Sequence, residues 1–319
     1  MVSRFINLIV DLPLCLIDHL VKKGKKDYLW VIFPIFVVWL PIYLLFYTKY
    51  WWTVCLYALW FFYDFETPAR GSRNWKDLKM RGLVAFSLML KVYNCHPHGI
   101  LSIGAFTHLS TSATGFSEKF PGIKSNILTL NGQFWFPFRR EIGIGLGGVE
   151  CSSKSLKFLL KNPKGGALAG IVIGGAEELL DAKPGNFDLN ILGRLGFCRI
   201  ALETGASLVP SFSFGENDVY DQYTYPRDSR PRKIQRFIKK CFGVCFPLLF
   251  GYSWYLPLMP KKKPITTVIG TPINVERITH PTKEQIRELH QCYCSGLVEL
   301  FEAHKAEYNI KEDIHLNLY

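Results

Sequence analysis

Two kinds of hydrophobic pattern divide the chain. From Tyr28 to Tyr63 the sequence is apolar with a single charge, Lys49. That length exceeds one membrane span of roughly 20 residues and falls short of two. Thr48, Lys49 and Tyr50 read as a turn near its middle, so the pattern predicts a helical hairpin over 28–63, with Pro34 and Pro41 kinking the first arm. A buried helical pair in a soluble core is the competing reading. Before it, Arg4, Asn7, Asp11 and Asp18 fall opposite Phe5, Leu8, Ile9, Leu12 and Leu16, as in a helix lying at an interface or packed on the body.

After about residue 83, short apolar runs alternate with amphipathic stretches, the sign of an α/β sheet flanked by helices. Strands are expected over Leu90–Cys95, Ile127–Leu130, Ala167–Ile173, Ser207–Phe214 and Thr266–Ile269. Helices are expected from Ser152 or Ser153 to Leu160, after Gly174-Gly175, from Phe197 to Thr204, and at the C-terminus. There Thr282 and Gln285 form a capping box, and Ile286, Leu289, Tyr293, Leu297, Leu300, Phe301 and Tyr308 make one apolar face. Three units follow: 1–27, the hairpin 28–63, and a body over 64–319.

Composition places the chain between soluble enzymes and polytopic membrane proteins. Its 319 residues are 49% hydrophobic and 20% charged, with a net charge of +12. The basic excess calls for an anionic partner. Much of it flanks apolar stretches: Lys22, Lys23, Lys25 and Lys26 precede the hairpin, and Arg70, Arg73, Lys76, Lys79 and Arg81 follow it. That arrangement favours membrane lipids, with both flanks on the cytosolic side. No zinc-finger spacing or RNP-like motif supports nucleic acid. Nine scattered cysteines suit a reduced compartment. A second basic cluster, Arg230 to Lys240, runs into nineteen uncharged residues, Cys241–Met259, broken by Pro247 and Pro257. We read that run as an interfacial or re-entrant apolar wall beside the active site or, equally, as buried loop-and-strand core.

Three segments carry candidate chemistry at expected strand ends. The first is His96-Pro97-His98-Gly99, where Pro97 closes a strand and Gly99 permits a sharp turn and close approach of a ligand. Imidazole suits proton transfer at neutral pH, although the tetrad alone could equally be a turn with two satisfied histidines. The second is Gly174-Gly175-Ala176-Glu177-Glu178, and the third contains Arg194 and Arg199, guanidinium groups able to hold phosphates. Together they offer a base, a carboxylate to fix its tautomer, and cations for an anionic carrier. Separately, the acids could be a solvated helix face and Arg194 a surface ion pair.

The segments Cys95-His96-Pro97-His98-Gly99-Ile100, Phe116-Ser117-Glu118-Lys119-Phe120-Pro121-Gly122, Gly174 to Glu178, and Arg194 to Leu202 together resemble the diacylglycerol acyltransferase 2 family. Gly205 to Pro210, Phe214-Gly215-Glu216-Asn217 and Gly270-Thr271-Pro272-Ile273 extend the likeness. That family includes monoacylglycerol and wax-alcohol acyltransferases. The resemblance implies a glycerolipid-acyltransferase-like sheet, acyl-CoA as co-substrate with no bound cofactor or metal, and esterification of a lipid alcohol, diacylglycerol first. It implies a multi-pass hairpin anchor in the endoplasmic reticulum membrane, association with lipid droplets, and both termini in the cytosol. Homo-oligomerisation is left open. By the same resemblance His98 is the general base, Glu178 orients its ring, and His96 shapes the turn or bonds the oxyanion. Gly99, Gly174, Gly175, Arg194 and Arg199 line the substrate site. One departure stands out: Arg73 to Asn94 is short and lacks the family's Tyr-Phe-Pro motif. A deletion there would threaten the position of the tetrad and leave a membrane-binding protein with weak catalysis.

Overall fold

The computed structural model describes residues 39–71, 91–111, 114–136, 139–161, 166–242, 245, 247–253 and 258–319. The segment 1–27, the start of the first hairpin arm, and most of the short stretch before the tetrad lie outside them.

Ten strands are described: β1 Lys91–His96, β2 Lys124–Thr129, β3 Gly148–Glu150, β4 Ala167–Val172, β5 Asp188–Leu189, β6 Ser207–Phe214, β7 Asp221–Tyr223, β8 Leu248–Phe250, β9 Thr266–Ile269 and β10 Asn317–Leu318. Six form one sheet in the order β3-β2-β4-β1-β6-β9, parallel except for β9 at one edge. β5 pairs with β10 and β7 with β8. The helices are α1 Trp51–Tyr63, α2 Ile103–Ser110, α3 Phe116–Lys119, α4 Arg139–Gly145, α5 Ser153–Leu160, α6 Gly175–Asp181, α7 Gly196–Thr204, α8 Arg230–Phe242 and α9 Lys283–His304.

β1 lies mid-sheet and is buried throughout, which explains its near-continuous apolar reading. Alternation sends Val92 into a core built with Ala201, Leu208, Leu297 and Phe301, and sends Tyr93 and Cys95 toward Ala105, Leu109 and Val209. Each such large side chain contributes about 1.5–3 kcal/mol by leaving water. The period carries His96 onto the Val92 face, beneath α9.

Local signals account for the helix ends. Ser152 Oγ accepts the Ser155 N–H at 3.1 Å to start α5, and Gly205, at φ 73°, closes α7. The capping box of α9 is formed as expected, with Thr282 and Gln285 exchanging bonds of 2.9 and 3.2 Å. β2 begins three residues before its expected start, because its early residues pair with β4.

The structure does not confirm a membrane hairpin over 28–63. Residues 39–47 are helical, 48–50 turn, and α1 follows. At 13 residues α1 is about 20 Å long, short of a bilayer core of about 30 Å. Among the described residues no helix is long and apolar enough to cross a membrane. α1 is also fastened to the body. The buried guanidinium of Arg140 meets Asp64 Oδ2 at 2.9 Å, bonds the Asp64 carbonyl, and lies over the rings of Trp60 and Phe61.

The basic cluster forms a helix, α8, which charge alone did not reveal. In the uncharged run that follows, Leu248, Phe250, Tyr252 and Leu258 are exposed, so these residues belong to a surface wall and not to a buried core.

Candidate active site

β1 ends at His96, the His96–Pro97 peptide is cis, and the chain turns through Gly99 at φ 60° into α2. The two histidines part here. His96 is fully buried, its Nε2 hydrogen-bonded to the Tyr293 hydroxyl of α9 at 3.0 Å. Burial pushes its pKa down to about 3. A ring so enclosed presents nothing to an incoming substrate, so of the two expected roles its geometry fits shaping the turn.

His98 is half-buried. Its Nδ1 lies 2.9 Å from the Gly99 carbonyl oxygen, which can only accept, so Nδ1 carries the proton. In the neutral ring the lone pair is then on Nε2. Burial lowers the pKa of His98, and the nearby Arg194 cation lowers it further, against the opposing pull of the Gly99 carbonyl. The neutral ring, ready to take a proton, is the form favoured at pH 7.

Glu178 does not meet the ring it was expected to orient. Its buried carboxylate accepts the main-chain N–H of His98 on one oxygen and that of Asn190 on the other, at 3.0 Å for the latter. The carboxylate fixes the turn; the Gly99 carbonyl fixes the tautomer. Burial raises Glu178 to about 7 in spite of the two N–H bonds.

Sequence reasoning assigned no role to Glu216. Its buried carboxylate accepts the N–H groups of Ile103 at 2.8 Å and Gly104 at 2.6 Å, the first two of α2. An acid at a helix start meets the positive end of the dipole and satisfies otherwise orphaned donors. Burial raises it, too, to about 7. The missed signal was a repeated pattern. Both β4 and β6 are buried strands followed by glycine and then glutamate.

The glycines give these carboxylates room to approach the main chain. A Cβ on Gly99 would lie 2.6 Å from Glu216 Oε1, and one on Gly174 would lie 2.0 Å from Glu178 Oε2. Gly175 faces the Arg194 guanidinium, where a Cβ would stand 3.2 Å from Nη2. Arg194 is exposed, with Nη2 3.5 Å from the Gly174 carbonyl. Thus the tetrad, the Gly-Gly-Ala-Glu-Glu turn and Arg194 do converge. Arg199 is exposed on α7, and among the described residues no hydrogen bond joins it to the turn. A cavity of about 60 Å³ beside Pro97 and Glu216 has room for water and not for an acyl chain.

The sequence pattern of the family described as Diacylglycerol acyltransferase matches residues 43–88 and 90–319. The chain belongs to that family. It is 39% identical over 283 residues to mouse 2-acylglycerol O-acyltransferase 1, covering 83% of this chain and 84% of the relative. Diacylglycerol O-acyltransferase 2 of Dictyostelium discoideum is 42% identical over 230 residues, 71% of this chain and 69% of that protein. Human acyl-CoA wax alcohol acyltransferase 1 is 37% identical over 302 residues, 89% and 90% of the two chains. No solved structure matches. The chain is therefore an acyltransferase, as its motifs implied, and the family match breaks at residue 89, inside the short stretch before the tetrad.

Proposed function

We propose that the protein transfers an acyl group from acyl-CoA to the hydroxyl of a neutral lipid, diacylglycerol foremost, with His98 as general base. Nε2 takes the hydroxyl proton as that oxygen attacks the thioester carbonyl. The carbon–sulfur bond then breaks, and the imidazolium returns the proton to the leaving thiolate, giving ester and free CoA. Arg194 and Arg199 attract the CoA phosphates, Arg194 being close enough to the base to lower its pKa. The observation that carries this reading is the Nδ1 contact with the Gly99 carbonyl, which leaves the Nε2 lone pair of a half-buried ring available. A positioned base of this kind is worth about 10²–10⁴-fold in rate.

The acceptor is named on family grounds, since relatives named for monoacylglycerol, diacylglycerol and wax alcohol all match at similar identity. Microsomes expressing the full chain, given labelled acyl-CoA and each of the three alcohols, test it. Ester formed with diacylglycerol and reduced to background by His98→Ala supports the reading. No ester above that background with any alcohol assigns the chain to membrane binding without catalysis.

We also propose that 28–63 is a hairpin dipping into the endoplasmic reticulum membrane, supported by the turn at 48–50 and by basic residues on both flanks. An N-glycosylation acceptor beside Lys49 should be modified and one at either terminus should not. Glycosylated termini would overturn this topology.

A further inference from the structure

In a soluble protein an amphipathic surface helix turns its apolar stripe inward and its charges outward. α8 departs from this, with cations turned inward and apolar side chains turned outward among further cations. Its inward residues are cations: Arg232 is wholly buried, bonding the Leu180 carbonyl at 2.9 Å and Asp181 Oδ1 at 2.7 Å, and Arg236 bonds Glu177 at 3.0–3.2 Å. These bonds clamp α8 onto α6. Its outward face carries Ile234 and Phe237, 59% and 65% exposed, one turn apart. Exposed Arg230, Lys233 and Lys240 frame them.

The β7–β8 pair, which Gln222 ties to the Leu179 and Leu180 carbonyls of α6, leads into a second group of exposed apolar residues. Leu248, Phe250, Tyr252 and Leu258 are all about half exposed, and Lys262 lies 5.9 Å over the Tyr252 ring. Apolar tips bordered by long cationic side chains match the two layers of an anionic leaflet, acyl region within and phosphate at the rim.

We propose that the outer face of α8, continued by β8, is a docking surface for an anionic lipid leaflet, separate from the N-terminal hairpin. The inference does not rest on acyl transfer. Its consequence is geometric. Glu177 holds α8 while its neighbour Glu178 holds the main chain of His98, so one short helix joins the docked surface to the catalytic turn.

The test reads lipid contact rather than turnover. In the full chain with Cys15, Cys55, Cys151, Cys241, Cys245 and Cys292 replaced by serine, an environment-sensitive fluorophore is attached at Ile234→Cys, at Phe237→Cys, or at Ser295→Cys on the exposed side of α9. Each protein is reconstituted in phosphatidylcholine vesicles with or without phosphatidylserine, containing nitroxide-bearing lipid as quencher. Quenching at 234 and 237 that needs phosphatidylserine and is absent at 295 is expected. Each basic residue raises partitioning to an anionic leaflet about fivefold, so Lys233→Glu with Lys240→Glu should lower the docked-to-undocked ratio of this face, read from quenching at 234 and 237, at least about 25-fold. No quenching at 234 and 237, equal quenching at 295, or indifference to phosphatidylserine overturns the proposal. All substituted positions on α8 are exposed, so folding is not at risk, and an inactive enzyme would still give the expected result.

Discussion

Glu178→Gln separates a residue that holds the main chain from one that orients the base. The side chain keeps its shape but exchanges two acceptor oxygens for one acceptor and one donor. The amide oxygen can take one of the N–H groups of His98 and Asn190, and the amide nitrogen is left facing the other. A buried N–H without an acceptor costs about 1–3 kcal/mol. The turn relieves that cost by moving, and a displacement of about 1 Å at a reacting group costs about 10² in rate. The expected loss is therefore about 10–10²-fold in kcat, with KM for acyl-CoA unchanged. The pH profile carries the discrimination. In the wild type, activity should fall in two steps as pH drops: first through about 7, as Glu178 takes a proton and its grip on the two N–H groups weakens, then below 6.5, as His98 does. The glutamine variant should lose the first step and keep the second in place, because the carboxylate does not contact the imidazole. Were Glu178 an orienting partner of the ring, removing its charge would make protonation of His98 harder and shift the second step to lower pH. That shift, or full activity in the variant, would refute the reasoning.

Arg194→Gln should move the His98 step toward higher pH, since it removes a cation that opposes protonation, and should raise KM for acyl-CoA; an unmoved pH step counts against the proximity of the two groups. Asp64→Ala leaves the buried Arg140 guanidinium with Glu141 Oε1, at 3.2 Å, as its remaining carboxylate and should cost up to about 3–5 kcal/mol in thermal or denaturant unfolding, much of it regained when Arg140→Leu is added. The raised Glu216 makes the folded protein hold a proton more tightly than the unfolded chain, so its contribution to stability is full below 4.5 and is lost as pH rises through about 7. The span corresponds to about 3 kcal/mol. Comparing wild type with Glu216→Gln by urea unfolding across that range isolates it, and a difference that does not change with pH would contradict the assignment.

The fold was legible where one local signal sufficed. β4, β6 and β9 follow from apolar runs, and α5, α7 and α9 from caps that the sequence spells out. α8 was hidden because what fixes it is a cation that looks solvated and is buried, Arg232, with Arg236 beside it, and their partners Glu177 and Asp181 lie some fifty residues away. In the site, the tetrad and its convergence with Glu178 and Arg194 could be read from strand ends. The division of labour could not. Whether a carboxylate reaches a ring or a main-chain N–H depends on an ångström of approach, and Gly99 and Gly174 permit that approach only through tertiary packing. Tyr293, which holds His96, reads in sequence as one more apolar residue of α9 and shows its hydroxyl only when the helix is laid on the sheet.

The same contacts bear on the short stretch before the tetrad. A deletion there threatens catalysis only if that stretch is what positions His98. Within the described residues the turn is held from elsewhere. β1 is in register with β4 on one side and β6 on the other, Cys95 opposite Val172 and His96 opposite Phe212. Tyr293 fixes the His96 ring, Glu178 fixes the His98 N–H, and Ser102 Oγ donates to the His98 carbonyl at 2.8 Å. Glu216 fixes the start of α2 just beyond. Every one of these partners lies C-terminal to the shortened segment, so moving the base would require breaking several buried hydrogen bonds, each worth about 0.5–1.5 kcal/mol and more where a carboxylate accepts. Among the described residues, the groups that hold the proton acceptor in place all lie downstream of Lys91.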